Sequence, residues 1–394
     1  MSEITLHPRV PLKFIAKITS GGTPGADSIN WNGVIPFVTP PDLNGLDGKR
    51  LEFWGRSLAQ TGTKGSSLVD HAVMLSCRAP IGHIGTVEQQ VAFNQGCKSL
   101  QPSESEDVDY LAYALVSERK TLSVAGRGTT FLELSSTDLA SCSVPWPSGG
   151  DVRKFIADYL DRETGAIDAM IVKMDELAAT LVARKRNTAS YVWSLGFNRV
   201  KLKWLINEVD DRAGGAADLP LLSVSIHHGV QLRSESTSKQ RASEDLSSYK
   251  VARNGEIVLN RMRAFQGGLG LADRDGLVSP DYSVIRANPT VLPSWAERVM
   301  RTPEFIAGMT QWLRGIGGVE TSSARTPRIN FSDLIELEIP VPSITEQKRI
   351  ADHLDEVTSR IDQMLAKVFE LKSLLIERRT ALIADVVTGR KEVA

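Results

Sequence analysis

The sequence predicts an α+β chain with an internal pseudo-twofold duplication, in which two globular α/β domains are joined and separated by two long antiparallel coiled-coil helices. Three observations predict it. The phrase IADYLDRETGAID, beginning at Ile156, returns as IADHLDEVTSRID at Ile350, 194 residues later. Each copy carries apolar rows at heptad spacing. The sequence around the copies consists of short β-like runs broken by Gly- and Pro-rich turns, with a few helical stretches between them.

The duplication extends beyond the phrase. Arg9-Val10-x-Leu12-Lys13-Phe14 matches Arg199-Val200-x-Leu202-Lys203-Trp204 at an offset of 190, and Arg78-Ala79 with Gly82-x-x-Gly85 matches Arg263-Ala264 with Gly267-x-x-Gly270 at 185. Asp138-Leu139 and Val144-Pro145-Trp146-Pro147 match Asp333-Leu334 and Ile339-Pro340-Val341-Pro342 at 195. The order is collinear, and the drifts are those of loop insertions. A period this long is a domain repeat rather than a solenoid. The expected organisation is a globular domain over 1–147, a long helix over 148–196, a second globular domain over 197–342 and a second long helix over 343–394.

In the globular halves, runs such as Ala72-Val-Met-Leu-Ser76, Glu256-Ile-Val-Leu-Asn260 and Tyr282-Ser-Val-Ile285 read as strands. Stretches near Val108 to Lys120 and Trp295 to Trp312 read as helices. In the first long helix, Leu160, Ile167, Met174 and Leu181 form one apolar row, and Ile156, Met170 and Leu177 a second that Glu163 interrupts. The second copy has Leu354, Ile361, Val368, Leu375 and Leu382 beside Ile350, Val357, Met364 and Leu371. Two such rows make a coiled-coil seam. Capping-box patterns, Ser148-x-x-Asp151 and Ser343-x-x-Glu346, mark the starts. About 40 residues at about 1.5 Å each give roughly 60 Å, longer than a small domain is wide. Phe155, Ile171, Leu374 and Ile383 lie beside the main rows, so the helices are expected to serve as spacer and as docking surface for partner helices.

Composition limits the function classes. With 394 residues, 42% apolar and 24% charged, the chain is that of a soluble globular protein. MSEITLHPRV lacks a basic n-region followed by an apolar core, and no apolar run approaches the roughly 20 residues of a membrane span, so a cytoplasmic protein is expected. Cys77, Cys97 and Cys142 fit neither a disulfide framework nor a CxxC metal site. The globular halves carry 12 basic with 14 acidic and 18 basic with 17 acidic residues. A basic patch must therefore arise from folding, not from bulk charge.

Several loops have the chemistry of phosphate and base contacts. Ser20-Gly21-Gly22-Thr23 and Gly126-Arg127-Gly128-Thr129-Thr130 offer amides, hydroxyls and an Arg, and the second half offers Asn260-Arg261-Met262-Arg263 and the run from Thr321 to Arg328. Singly, each is the composition of an ordinary turn. Catalytic signatures fail. Thr39-Pro40-Pro41-Asp42 lacks the flanking residues of an amino-methyltransferase loop, and Asp42 and Asp47 are too close in sequence for a nuclease carboxylate pair. Gly267-Gly268-Leu269-Gly270 is no dinucleotide fingerprint, and His227-His228 on a strand would point to opposite faces. No catalytic residue and no metal ligand is expected.

IADYLDRETGAIDAMIVKMDEL and EQKRIADHLDEVTSRIDQMLAKVFELKSLLIERRTALIADVVTGR, each following a Pro-x-Pro, resemble the two central conserved regions of the specificity subunit of type I restriction-modification systems. ITSGGTP, IPFVTPPDL, APIGHIG, NQGCKSL and GRGTTFLEL resemble one class of target-recognition domain, and IVLNRMRAFQGGLG and DGLVSPDYSVIRA another. The resemblance covers nearly the whole chain. It implies that each globular half reads one part of a split double-stranded DNA target, with the helices fixing the gap. It also implies two methyltransferase (modification) subunits and restriction/translocase subunits as partners. S-adenosylmethionine, ATP and Mg would belong to those partners, with no cofactor in this chain and no membrane contact. The candidate DNA contacts are Ser20, Gly22, Thr23, Thr39, Arg78, Arg127, Thr129 and Thr130 in the first half, with Arg261, Arg263, Ser322, Ser323, Arg325 and Arg328 in the second. The candidate seam and partner residues are Leu160, Ile167, Met174, Leu181, Leu354, Ile361, Val368 and Leu375. With a formal charge of −1, the isolated chain is expected to bind DNA weakly. The other reading is a coiled-coil adaptor without sequence-selective DNA binding.

Overall fold

The computed structural model describes residues 6–52, 54–126, 132–214, 219–226, 229–233, 246–311 and 328–393. The chain divides into two compact units, Met1–Met174 with Phe369–Ala394, and Asp175–Val368. Each unit therefore takes one end of each long helix. The helices run over Gly150–Ser190 and Ile344–Thr388.

The first unit is built on an antiparallel sheet in the order Ala16–Ser20, Cys97–Pro102, Ala72–Ser76, Ile84–Val87. Its central strand Ala72–Ser76 reads as a near-continuous apolar run because both of its faces are covered. On one side, Val73, Leu75 and Leu100 pack with the helix Val108–Ser117 and with Ile156, Leu160, Ile383 and Val387 of the long helices. On the other, Met74, Val87 and Cys97 meet Val38, Leu43 and Phe93. A second sheet, Ser57–Leu58, Trp31–Val38, Val91–Phe93, Ser67–Val69, is added beside it. Gly21 crosses between these parts so tightly that a Cβ there would lie 2.1 Å from Asn94 O and 2.6 Å from Phe93 O, both backbone atoms. Gly21→Ala is expected to cost roughly 2 kcal/mol or more, read as a lower urea midpoint, because backbone cannot give way as a side chain can.

The second unit repeats the sheet order with Ile206–Val209, Tyr282–Ala287, Ile257–Asn260, Leu269–Leu271. Arg199–Lys201 pairs with Glu338–Pro340 as Arg9–Pro11 pairs with Ser143–Pro145. The entry to each long helix is tied down alike: Tyr110 Oη donates to Pro145 O at 3.1 Å, and Trp295 Nε1 donates to Pro340 O at 2.9 Å. One turn into the first helix, Arg153 makes a two-pronged pair with Asp107 at 2.6 and 2.8 Å; the duplicate position, Gln347, is fully buried and accepts from Leu292 N at 2.8 Å.

Of the two capping boxes expected from sequence, the second is half made: Glu346 N donates to Ser343 Oγ at 3.3 Å, and the Ser343 hydroxyl donates to the Glu346 carboxylate at 3.2 Å. The first is not. Gly149 at φ +96° turns the chain into the helix, and Arg153 N donates to Gly149 O at 3.4 Å. A left-handed residue there carries the chain in without the serine.

The seam also needs correcting. Leu160, Ile167, Leu181, Leu354, Ile361, Val368 and Leu375 are buried, and Met174 half-buried. Of the second apolar row, Ile156 and Ile350 are buried in the globular cores and Val357 is half-buried, but Met170, Leu177, Met364 and Leu371 are exposed. Its place is taken by Ala157, Thr164, Ile171, Ala178 and Lys185, and by Ala351, Thr358, Leu365, Lys372 and Arg379. Small and polar residues alternating with large ones let two helices approach closely, and that geometry outweighs raw hydrophobicity.

In the first unit Arg379 Nε lies 3.1 Å from Asp168 Oδ1, and Lys391 Nζ lies 3.1 Å from Tyr159 Oη, so the helix ends there run antiparallel. In the second unit Lys185 Nζ lies 2.5 Å from Asp362 Oδ1. Asp168 and Asp362, like Lys185 and Arg379, are 194 residues apart: the same ion pair is made twice. Facing residues of an antiparallel pair have numbers that add to a constant, and both pairs give the same constant. Each unit thus holds its helix ends in one common register. The copies differ in surroundings. The Arg379 side chain is 8% exposed and also faces Asp47, while Lys49 Nζ reaches Asp168 at 2.7 Å; the Lys185 side chain is 42% exposed.

Candidate nucleic-acid interface

The end of each sheet at which the two central strands leave side by side gathers the charged candidates. In the first unit Ser76 pairs with Cys97, and Lys98 pairs with both Leu75 and Ser20. The chain continues to Arg78, whose backbone bridges Glu133 and whose Nε lies 3.2 Å from Glu133 Oε2. In the second unit Asn260 pairs with Tyr282, and Asn260 Nδ2 donates to Tyr282 Oη at 3.3 Å. Ile329 N donates to Arg261 O at 3.2 Å, which brings Arg328 beside the turn that carries Arg263. The side chains of Arg263 and Arg328 are exposed and make no hydrogen bond or ion pair among the described residues. Arg328 is the duplicate of Glu133 at an offset of 195, so an Arg–Glu pair in one unit becomes two arginines in the other. Burial pushes the Tyr282 phenol up, while Arg233 and Arg263 pull it the other way.

Other sequence candidates have structural work. The Gly22 amide donates to Phe93 O at 3.0 Å and the Gly21 amide to Cys97 O at 3.2 Å, so neither glycine amide is left for a phosphate. Thr23 Oγ1 donates to Gln95 Oε1. Thr39 bonds Asp42 through both its amide and its hydroxyl and caps the turn Pro40–Leu43. Arg261 braces the chain through Ile329 O at 3.1 Å and Asn330 Oδ1 at 2.9 Å. Ser20 remains exposed, with its hydroxyl 3.1 Å from that of Ser136. Arg127, Thr129, Thr130, Ser322, Ser323 and Arg325, like His227 and His228, lie outside the described residues.

Sequence reasoning missed Lys98, whose signal was a lysine inside an otherwise buried strand, CKSLQP. It also missed a duplicated surface pair: Lys13 Nζ lies 4.8 Å from the exposed Phe14 ring, and Lys203 Nζ 5.7 Å from the exposed Trp204 ring. Burial pushes the Cys77 and Cys97 thiols up, which favours their protonated form. Among the described residues no cluster of three or more His, Cys, Asp or Glu could hold a metal, and no helix is long and apolar enough to cross a membrane.

The family model described as the type I restriction modification DNA specificity domain matches residues 9–171 and 309–371, more than half of the chain. This chain belongs to that specificity family. The specificity subunit of the type I restriction enzyme MjaIX from Methanocaldococcus jannaschii is 29% identical over 161 residues, 38% of this chain and 37% of that protein. The EcoBI specificity subunit from Escherichia coli is 33% identical over 86 residues, 22% of this chain and 18% of its own. The matches thus span well under half the length of these curated relatives.

Among solved structures, a chain from work on complex assembly and conformational transition of the type I restriction-modification system superposes with a TM-score of 0.68 at 15% identity, covering 98% of both chains. The HsdS subunit from Thermoanaerobacter tengcongensis does so with a TM-score of 0.54 at 14% identity, covering 98% of this chain and 97% of its own. At such identities the likeness is one of fold. The specificity-family match leaves out residues 172–308, which include the turn carrying Arg261 and Arg263.

Proposed function

We propose that this chain supplies the DNA address of a type I restriction-modification complex. The recognition domains at 1–147 and 197–342 each read one half-site of a bipartite, asymmetric target, and the helices at 148–196 and 343–394 set the gap. The observation that carries this reading is the same sheet order in both units with different charges at the same sheet end: Arg78 with Glu133 and Lys98 in one, Arg263 with Arg328 in the other. Two unlike surfaces on one duplicated frame suit two unlike half-sites.

Two modification subunits dock on the helices, and restriction/translocase subunits join them in the cytoplasm. Supporting this are exposed apolar residues at duplicate positions, Met170 with Met364, Leu177 with Leu371 and Val182 with Ile376. Two equivalent faces suit two copies of one partner. S-adenosylmethionine, ATP and Mg are assigned to the partners. Mapping methylated adenines in DNA from a host carrying this chain and its modification partner tests the reading; two unlike half-sites around a nonspecific gap are expected, and a contiguous motif overturns it. In the same assay Arg263→Ala with Arg328→Ala is expected to weaken binding roughly tenfold or more and to relax only the half-site read by the second unit.

A further inference from the structure

Lys98 lies on a central strand of the first unit's sheet and is 4% exposed, yet it has no ion-pair partner among the described residues. Its single hydrogen bond there runs from the ammonium to Ser20 Oγ at 3.1 Å, and Ser20 Oγ lies 3.1 Å from Ser136 Oγ. An ammonium has three donors, so one hydroxyl leaves most of its capacity and all of its charge unanswered. Burying a cation without a counter-charge is strongly unfavourable, and a fold retains it only when something compensates.

The second unit also buries a lysine, at a different place in the repeat, and closes its charge internally. Lys250 is as deeply buried and lies 3.6 Å from Glu208 and 3.5 Å from Asp210. Asp210 is the duplicate of Ser20 at an offset of 190. At one position of the repeat, then, a carboxylate faces a buried lysine in one copy and an exposed hydroxyl faces one in the other, although the two lysines come from different strands and the duplicate of Lys98 itself is Ser283. Ser20 is also held still: Ser67 Oγ donates to Ser20 O at 2.8 Å, and Gly21 behind it is packed on backbone.

We propose that Lys98, with the hydroxyls of Ser20 and Ser136 in front of it, is an anchor for one phosphodiester of the DNA held by the first unit. The inference rests on the reading of the chain as a DNA-binding subunit. A compact ammonium and two hydroxyls suit a tetrahedral anion, whereas a base edge calls for the planar fork of an arginine or an amide. A phosphate contact of this kind positions the duplex without reading it.

The test uses the full chain in complex with its modification partner and duplexes carrying the mapped target, either unmodified or with one neutral methylphosphonate linkage at each position in turn. Lys98→Met is expected to weaken binding roughly tenfold, to lower the salt slope by about 0.9, and to leave the methylated motif unchanged. One linkage in the first half-site should weaken the parent complex and have no effect on the variant. Free of DNA, the variant should melt at a higher temperature than the parent chain, since the uncompensated charge is gone. Ser20→Ala with Ser136→Ala should lose sensitivity to the same linkage and keeps the test open if the methionine variant folds poorly. An unchanged salt slope with an unchanged linkage profile overturns the anchor, as does a lower melting temperature for a properly folded Lys98→Met. If the parent complex itself fails to tell target from scrambled duplex, the functional reading falls, and the anchor with it.

Discussion

A complex lacking residues 171–177 and 365–371 is expected to methylate the same two half-sites with a gap shorter by about three base pairs. The deletions remove one heptad from each helix at duplicate positions, between Asp168 and Lys185 in the first and between Asp362 and Arg379 in the second. Seven residues at about 1.5 Å each shorten a helix by roughly 10 Å, close to three base pairs at about 3.4 Å. Because a heptad is removed from both helices, Asp168 still meets Arg379 and Lys185 still meets Asp362, and the buried row stays in phase. Deleting four residues instead turns those groups off the seam and should give a complex that assembles poorly. Adenine methylation mapping reads both results. An unchanged gap after the heptad deletion would mean that the helices are not the ruler.

The second large effect concerns the duplicated ion pair. Arg379→Ala is expected to destabilise the chain by about 3 kcal/mol, because it takes a buried guanidinium away from Asp168 and from Asp47, which keeps only its more exposed pair with Arg119. For a unit of this size that lowers the melting temperature by on the order of 6–12 °C. Lys49 remains beside Asp168 and keeps the loss from being larger. At the duplicate position, Lys185→Ala should cost less than about 1 kcal/mol, since both partners are near half exposed and screened by water. Thermal unfolding of the two full-length variants side by side checks this. Equal losses would show that the surroundings of the pair do not matter.

The repeat, the two long helices and the first seam row were legible because heptad periodicity and a twice-used phrase are properties of the chain itself. The second seam row was not. Met170 and Leu177 are more apolar than Thr164 and Ala178, and only the closeness of the partner helix makes the smaller residues the better choice. The loops were hardest to read. Gly22, Thr39 and Arg261 have the chemistry of ligand contacts, yet the same groups serve as well for crossing a sheet, capping a turn or bracing a loop. Local sequence cannot separate these uses, because a hydrogen-bonding group is consumed by whichever neighbour the fold brings. Arg263 and Arg328 escaped that fate only because the fold places no acceptor beside them among the described residues.

Asp47 and Lys49 sit in a loop of the first globular domain, and their ion-pair partners Arg379 and Asp168 sit on the helices. That makes the two globular domains unequal as exchangeable parts. A foreign domain grafted at the second position meets a Lys185–Asp362 pair that is already complete and wet. One grafted at the first must bring its own acid and base to the same spot, or inherit a guanidinium with too little to hold. Recombination that shuffles DNA specificities should therefore succeed more readily at the second domain of this chain than at the first.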